Sequence, residues 1–187
     1  APQKKNLIAY NNRISVLSGA GVESVLTSSM TAGADVFMST SSVTDRAYIA
    51  NRYDQLSKYD GTSWSVVSGT NIPTPRTAVV PVGDRLLCGT VNGIERTDPR
   101  VDNVWSANSS WATLRPSQAG LFTALYPVSM KSTDTILPGA LAFQERAYYL
   151  IHGTDYGDDV TESAPPAGED VSFQMLDGSV GTNSPYS

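Results

Sequence analysis

The chain has 187 residues, a net charge of −5 and 40% apolar residues. That length buries a core without a metal or disulfide staple, and the single cysteine, Cys88, excludes an intramolecular disulfide. The acidic balance argues against a sequence-specific or general nucleic-acid partner, and no run approaches the ~18 apolar residues of a membrane-inserted helix. Ser and Thr total 40 while Lys numbers four. Long helices want Glu and Lys on their surfaces, whereas Thr, Val, Tyr and Trp suit a pleated sheet, so an all-β chain is expected. The start, Ala1-Pro2-Gln3-Lys4-Lys5, is not followed by an apolar h-region, so no export signal is expected.

A short unit recurs along the chain: a polar turn, an Arg, then apolar residues. It reads Asn12-Arg13-Ile14-Ser15-Val16, Asp45-Arg46-Ala47-Tyr48-Ile49, Asp84-Arg85-Leu86-Leu87-Cys88 and Glu145-Arg146-Ala147-Tyr148-Tyr149. Apolar runs such as Leu7-Ile8-Ala9-Tyr10 and Ala78-Val79-Val80 precede it, so each unit reads as strand, turn, strand. Arg13, Arg46, Arg85 and Arg146 are 33, 39 and 61 residues apart. One propeller blade takes about 40 residues, and the long last gap predicts an insertion over roughly 98–138. The guanidinium carries five donors, so these Arg residues are expected to tie turns to carbonyls or carboxylates.

Between the second and third units, Asp60-Gly61 predicts a hairpin that sets Tyr59 across from Trp64. Pro73-Thr74-Pro75 reads as a stiff connector, and Asn92-Gly93 as another turn. Residues 98–118 are loop-like and hold Trp105 and Trp111. With Trp64 these offer a contact surface, or else they cap a core. Leu121, Phe122 and Leu125 fall at helical spacing and predict a short helix over 117–126. Residues 1–152 thus form a β-hairpin repeat domain, as propeller-like blades or an open sandwich.

Residues 153–187 hold seven acids and no Lys or Arg, and read as an extended acidic C-terminal arm. Within it Val171, Phe173 and Met175 alternate with polar residues, which predicts an inter-subunit strand that adds to a neighbouring sheet.

Catalytic chemistry has little to work with. His152, at the end of an apolar strand, is the only histidine, so a triad lacks its base and a structural role is the better reading. Cys88 sits in an apolar run and reads as an inert buried thiol. No phosphate loop or zinc spacing occurs. Asp155, Asp158, Asp159 and Glu162 lack the spacing of a calcium loop, and a solvated acidic loop accounts for them. No cofactor is expected.

Two resemblances follow. The strand Tyr48-Ile49-Ala50-Asn51, then Asp54, then Tyr59-Asp60-Gly61-Thr62-Ser63-Trp64, resembles a segment of virion tail and neck proteins of tailed bacteriophages. Ala78–Gly89, Ile94–Trp105 and Leu7–Ser18 extend it over roughly residues 7–150, and members of that family are longer than this chain. It implies a non-enzymatic virion structural protein, made in the host cytoplasm, whose partners are itself in a homo-oligomeric ring and other virion proteins. Pro73-Thr74-Pro75-Arg76 through Gly89 also resembles one kelch strand pair, but Gly89-Thr90 stands where that family has two glycines. The alternative expectation is a carbohydrate- or protein-binding propeller module using the tryptophans.

Overall fold

A computed structural model describes residues 5–91, 93–105, 121–132, 135–146, 148–152 and 173–175. Fourteen strands and no helix occur among them. The strands form four antiparallel sheets in chain order. The first holds β1 (Asn6–Tyr10), β2 (Arg13–Leu17) and β3 (Glu23–Thr27). The second holds β4 (Val36–Ser41), β5 (Arg46–Asn51), β6 (Ser57–Tyr59) and β7 (Trp64–Val66). The third holds β8 (Val80–Val82), β9 (Arg85–Gly89) and β10 (Ile94–Arg96). The fourth holds β11 (Phe122–Ser132), β12 (Thr135–Gln144), β13 (Tyr148–His152) and β14 (Phe173–Met175).

Turn chemistry sets the hairpins. Tyr10 pairs with Arg13 and Val82 with Arg85, which leaves two-residue loops. Their first residues, Asn11 and Gly83, have φ of 53° and 60°, the left-handed region that tight hairpins need. Ser41 pairs with Arg46 around a longer loop whose last residue, Asp45, is also left-handed. Tyr59 pairs with Trp64 across Asp60–Ser63, as the sequence predicts.

Consecutive sheets pack face to face, with a core layer at each of three joins. Ile14, Val16, Met30, Ile49 and Tyr59 fill the first. Tyr48, Ala50, Leu56, Val79, Leu86, Cys88 and Trp105 fill the second. Val80, Leu87, Phe122, Leu125, Ala142 and Ile151 lie in the third. Each fully buried aliphatic side chain contributes about 1.5–3 kcal/mol. The approach is closest at Gly89, where a Cβ would lie 2.9 Å from the Phe122 side chain of the fourth sheet. A side chain there would push β9 and β11 apart.

Three expectations change. The predicted helix over 117–126 is a strand from Phe122 onward. A β-bulge between Phe122 and Ala124 turns both Phe122 and Leu125 into one core layer, which copies helical spacing in the sequence. The insertion predicted over 98–138 also changes at both ends, and its residues 106–120 lie outside the described residues. Residues up to Trp105 are held by bridges from Thr70 to Val104 and from Thr97 to Trp105, and β11 begins at Phe122. Finally, Arg146 is out of phase. Arg13, Arg46 and Arg85 each open the second strand of a sheet, whereas Arg146 lies between the second and third strands of its sheet.

Cys88 has no exposed surface, and burial pushes its thiol well above the usual range. A thiolate is the reactive form. The native protein should therefore resist a thiol reagent at neutral pH and label stoichiometrically only after denaturation, as mass spectrometry would show.

Candidate functional site

The densest polar cluster among the described residues centres on Asp102. Strand alternation puts Arg46 and Tyr48 on one face of β5, and the pairing of Tyr48 with Lys58 puts Lys58 on that face of β6. The segment after β10 crosses this face and lowers Asp102 onto all three. Arg46 Nη1 lies 2.5 Å from Asp102 Oδ2, and Lys58 Nζ lies 3.1 and 3.0 Å from Oδ1 and Oδ2. The Tyr48 hydroxyl donates to Oδ2 at 3.1 Å and so accepts from Thr44 Oγ1 at 2.7 Å.

The backbone of the same segment is fastened as firmly. Trp105 Nε1 donates to the Asp102 carbonyl at 2.9 Å. Thr70 N donates to Asn103 O at 2.8 Å, and Trp105 N to Thr70 O at 3.0 Å. This approach needs Gly69, since a Cβ there would lie 1.9 Å from Asn103 O.

Burial works against ionisation of Asp102, but the hydrogen bonds from Lys58 and Arg46 outweigh it and hold the carboxyl below its usual range. Tyr48 shifts the other way: burial pushes its hydroxyl up, with the Asp102 charge adding to the effect. A carboxylate saturated by two cations and a phenol is a weak base. The chemistry of this cluster is that of a fastener between the second sheet and the segment after β10.

A smaller cluster explains the Asn51 and Asp54 of the phage-like segment. Asn51 is fully buried, and its Oδ1 accepts from Tyr53 N at 3.0 Å and from Asp54 N at 2.5 Å. Its Nδ2 donates to Asp54 Oδ2 at 2.6 Å. Asp54 also accepts from Thr31 N at 2.7 Å and Thr31 Oγ1 at 2.6 Å, which ties the β5–β6 loop to the link between the first two sheets. Asp60 accepts from Thr62 N and Ser63 N at 2.8 and 2.7 Å, closing its turn.

The repeated Arg residues have different surroundings. Arg85 has no exposed surface and donates from Nη1 to Thr97 O at 2.9 Å. Arg46 holds Asp102. Arg13 and Arg146 are exposed. Of the tryptophans, Trp105 is 2% exposed and belongs to the second core layer, so it cannot serve as a stacking platform. Trp64 is half-buried against the first core layer, and Trp111 lies outside the described residues. Phe173 and Met175 lie in β14, which pairs with β13 of the same chain, while Val171 lies outside the described residues. Of the calcium candidates, all four acids lie outside them too.

Sequence reasoning missed Asp102 and Lys58. Asp102 sits in a stretch read as loop, and Lys58 in a three-residue strand, so neither carries a local signal.

An open groove of about 980 Å³ lies between β1 and β4, the first strands of the first two sheets. Lys5, Ser39, Thr40, Ser42, Asp45 and Arg46 are among its lining residues. Among the described residues no three His, Cys, Asp or Glu gather as a metal site, and no helix is long and apolar enough to cross a membrane.

Two outcomes follow for Asp102 and Arg85. Asp102→Ala should lower the melting temperature by on the order of 5–10 °C, because two cations lose a desolvated partner. Acid should act in the same direction. The folded carboxyl of Asp102 titrates below the reference 3.8, so its contribution is present above that pH and is lost as pH falls through the folded value. Melting curves should be level near neutrality and drop below about pH 4, less steeply in Asp102→Asn. Arg85→Ala removes a buried hydrogen bond to the Thr97 carbonyl and should destabilise by roughly 1–3 kcal/mol. Arg100→Ala removes an exposed group 4.0 Å from Asp84 and should change little. Arg52, which lies 5.7 Å from the Phe37 ring centroid, should fall between them.

The chain matches no protein-family model, no curated protein and no solved structure in the comparisons made.

Proposed function

We propose that this chain is a non-enzymatic structural protein of a tailed-phage virion, one of many identical copies in a tail or neck ring, and that its sheets act as propeller-like blades. The observation that supports a structural role most directly is the use made of buried and half-buried polar groups. Arg46, Tyr48, Lys58 and Asp102 bond to one another, Asn51 bonds to Asp54, and Arg85 bonds to a main-chain carbonyl. Each of these contacts fixes one part of the chain against another. Such residues set geometry, and fixed geometry is what a ring subunit needs.

The blade reading draws on the first strands. β4 packs against β8 and β8 against β11, while β1 and β4 flank the groove. First strands lying side by side are what the inner edges of blades would give. The resemblance to virion proteins supports the rest, since Asn51, Asp54 and Asp60, which carry it, each close a turn. A net charge of −5 is compatible with a wall beside DNA, which would not trap phosphate.

The groove favours a second reading, a carbohydrate- or protein-binding module, because the polar residues Lys5, Thr40 and Ser42 are among those that line it. The purified chain separates the two. Light scattering and electron microscopy should show rings or open polymers of one repeating contact. A monomer at all concentrations that binds a glycan array, with loss on Lys5→Ala, would replace the assembly reading with the binding one.

A further inference from the structure

The two ends of the stack differ from its interior in one respect. The second and third sheets have both faces buried in core layers, and among the described residues no core layer joins the fourth sheet to the first. The register shows which residues lie on the outer face at each end. On the fourth sheet, Phe122, Leu125, Ala142, Tyr149 and Ile151 face the core. Strand alternation therefore puts Tyr126, Leu141, Phe143, Tyr148 and Leu150 on the other face. Tyr126 packs edge-on against Phe143 at 5.9 Å, and Phe143 stacks on Tyr148 at 5.9 Å and 25°. Tyr126 is 54% exposed, and the other four are half-buried.

A sugar platform presents its rings flat to solvent. Here two of the rings face each other across the strands, so this surface suits another protein better than a glycan. None of these five residues is charged.

The first sheet supplies a counterpart. Ile14 and Val16 face its core layer, so Ile8, Leu17 and Val25 lie on the outer face. Val25 is 53% exposed. Tyr10 donates to Glu23 at 2.6 Å, a bridge that crosses β2 and leaves Ser15 buried beneath it. Arg13, Glu23 and Asn6 stand around the apolar stripe. An apolar centre with a polar rim is the anatomy of a protein interface.

We propose that the outer face of the fourth sheet docks on the outer face of the first sheet of a second copy. The contact continues between chains the face-to-face packing that already joins each sheet to the next within the chain. Because its two halves are different surfaces, it is head-to-tail, and it generates a ring or a filament rather than a closed pair. This inference rests on the assembly reading above and names the surface that assembly would use.

Two variants test it, Val25→Glu on the first sheet and Tyr126→Glu on the fourth. Both positions are exposed, so each variant should melt within a few degrees of the parent chain. Each alone should sediment as a monomer where the parent chain assembles. Mixed together, they should form a 1:1 heterodimer and stop there, because the intact fourth sheet of one meets the intact first sheet of the other. A mixture that stays monomeric overturns the proposal. Loss of assembly in Tyr126→Glu alone, with Val25→Glu unaffected, also overturns it and points to symmetric pairing of fourth sheets. Assembly that neither variant disturbs rejects this surface and leaves the ring reading standing. A parent chain that is monomeric throughout rejects both.

Discussion

The strand Arg46–Asn51 is buried on both faces, and the arrangement of its neighbours follows from that. Tyr48 and Ala50 enter one core layer while Ile49 enters another. Leu86 and Cys88 repeat the pattern in β9 with Leu87 on the opposite side. A sheet buried on both faces must be covered by a sheet on each side, so the middle of the chain cannot be a two-layer sandwich. Its loops must then satisfy their polar groups within a crowded, water-poor space. The Asp102, Asn51 and Arg85 clusters answer that demand at three places along the stack.

These clusters also divide the work by chemistry. Asp102 uses charge to hold a segment distant in sequence, and its bonds reach residues 44 to 56 positions away. Asn51 and Asp54 use short amide and carboxylate bonds within one loop and reach outward through Thr31. Arg85 anchors Thr97 through its main-chain carbonyl, to which the buried guanidinium donates. The same polar-turn-plus-Arg pattern therefore leads to different partners in different sheets, because the neighbouring segment differs each time.

Much of the fold was legible in the sequence. Two-residue loops at Asn11-Asn12 and Gly83-Asp84, and the Asp60-Gly61 hairpin, carry their own local signals, so the hairpins and the all-β class could be read. The helix expected near Leu121 failed because a bulge can imitate helical spacing, and periodicity alone cannot separate the two. The Arg spacing misled at Arg146 because the fourth sheet opens with strands of eleven and ten residues, which moves the Arg to a later turn. Asp102 was invisible for a deeper reason. Its role depends on a chain crossing, and a sequence pattern within one segment does not encode which face that segment will cross. Trp105 was ambiguous on the same ground, since its burial comes with the crossing.

Each sheet is built from one contiguous stretch and packs mainly on the sheets before and after it in the chain. Such an order makes the molecule nearly one-dimensional, like a repeat protein, with stability divided between units and the joins between them. Hairpins close over short loops, so the entropy of bringing partners together is small and local pairing can run ahead of the joins. The joins then differ in how they are reinforced. The one between the second and third sheets carries the Asp102 cluster and Trp105, whereas among the described residues the outer sheets each join a single core layer. Opening should therefore begin at the ends and reach the middle last, so that amide exchange would be slowest in β5 and β9. A chain made this way can surrender an end sheet without losing its centre.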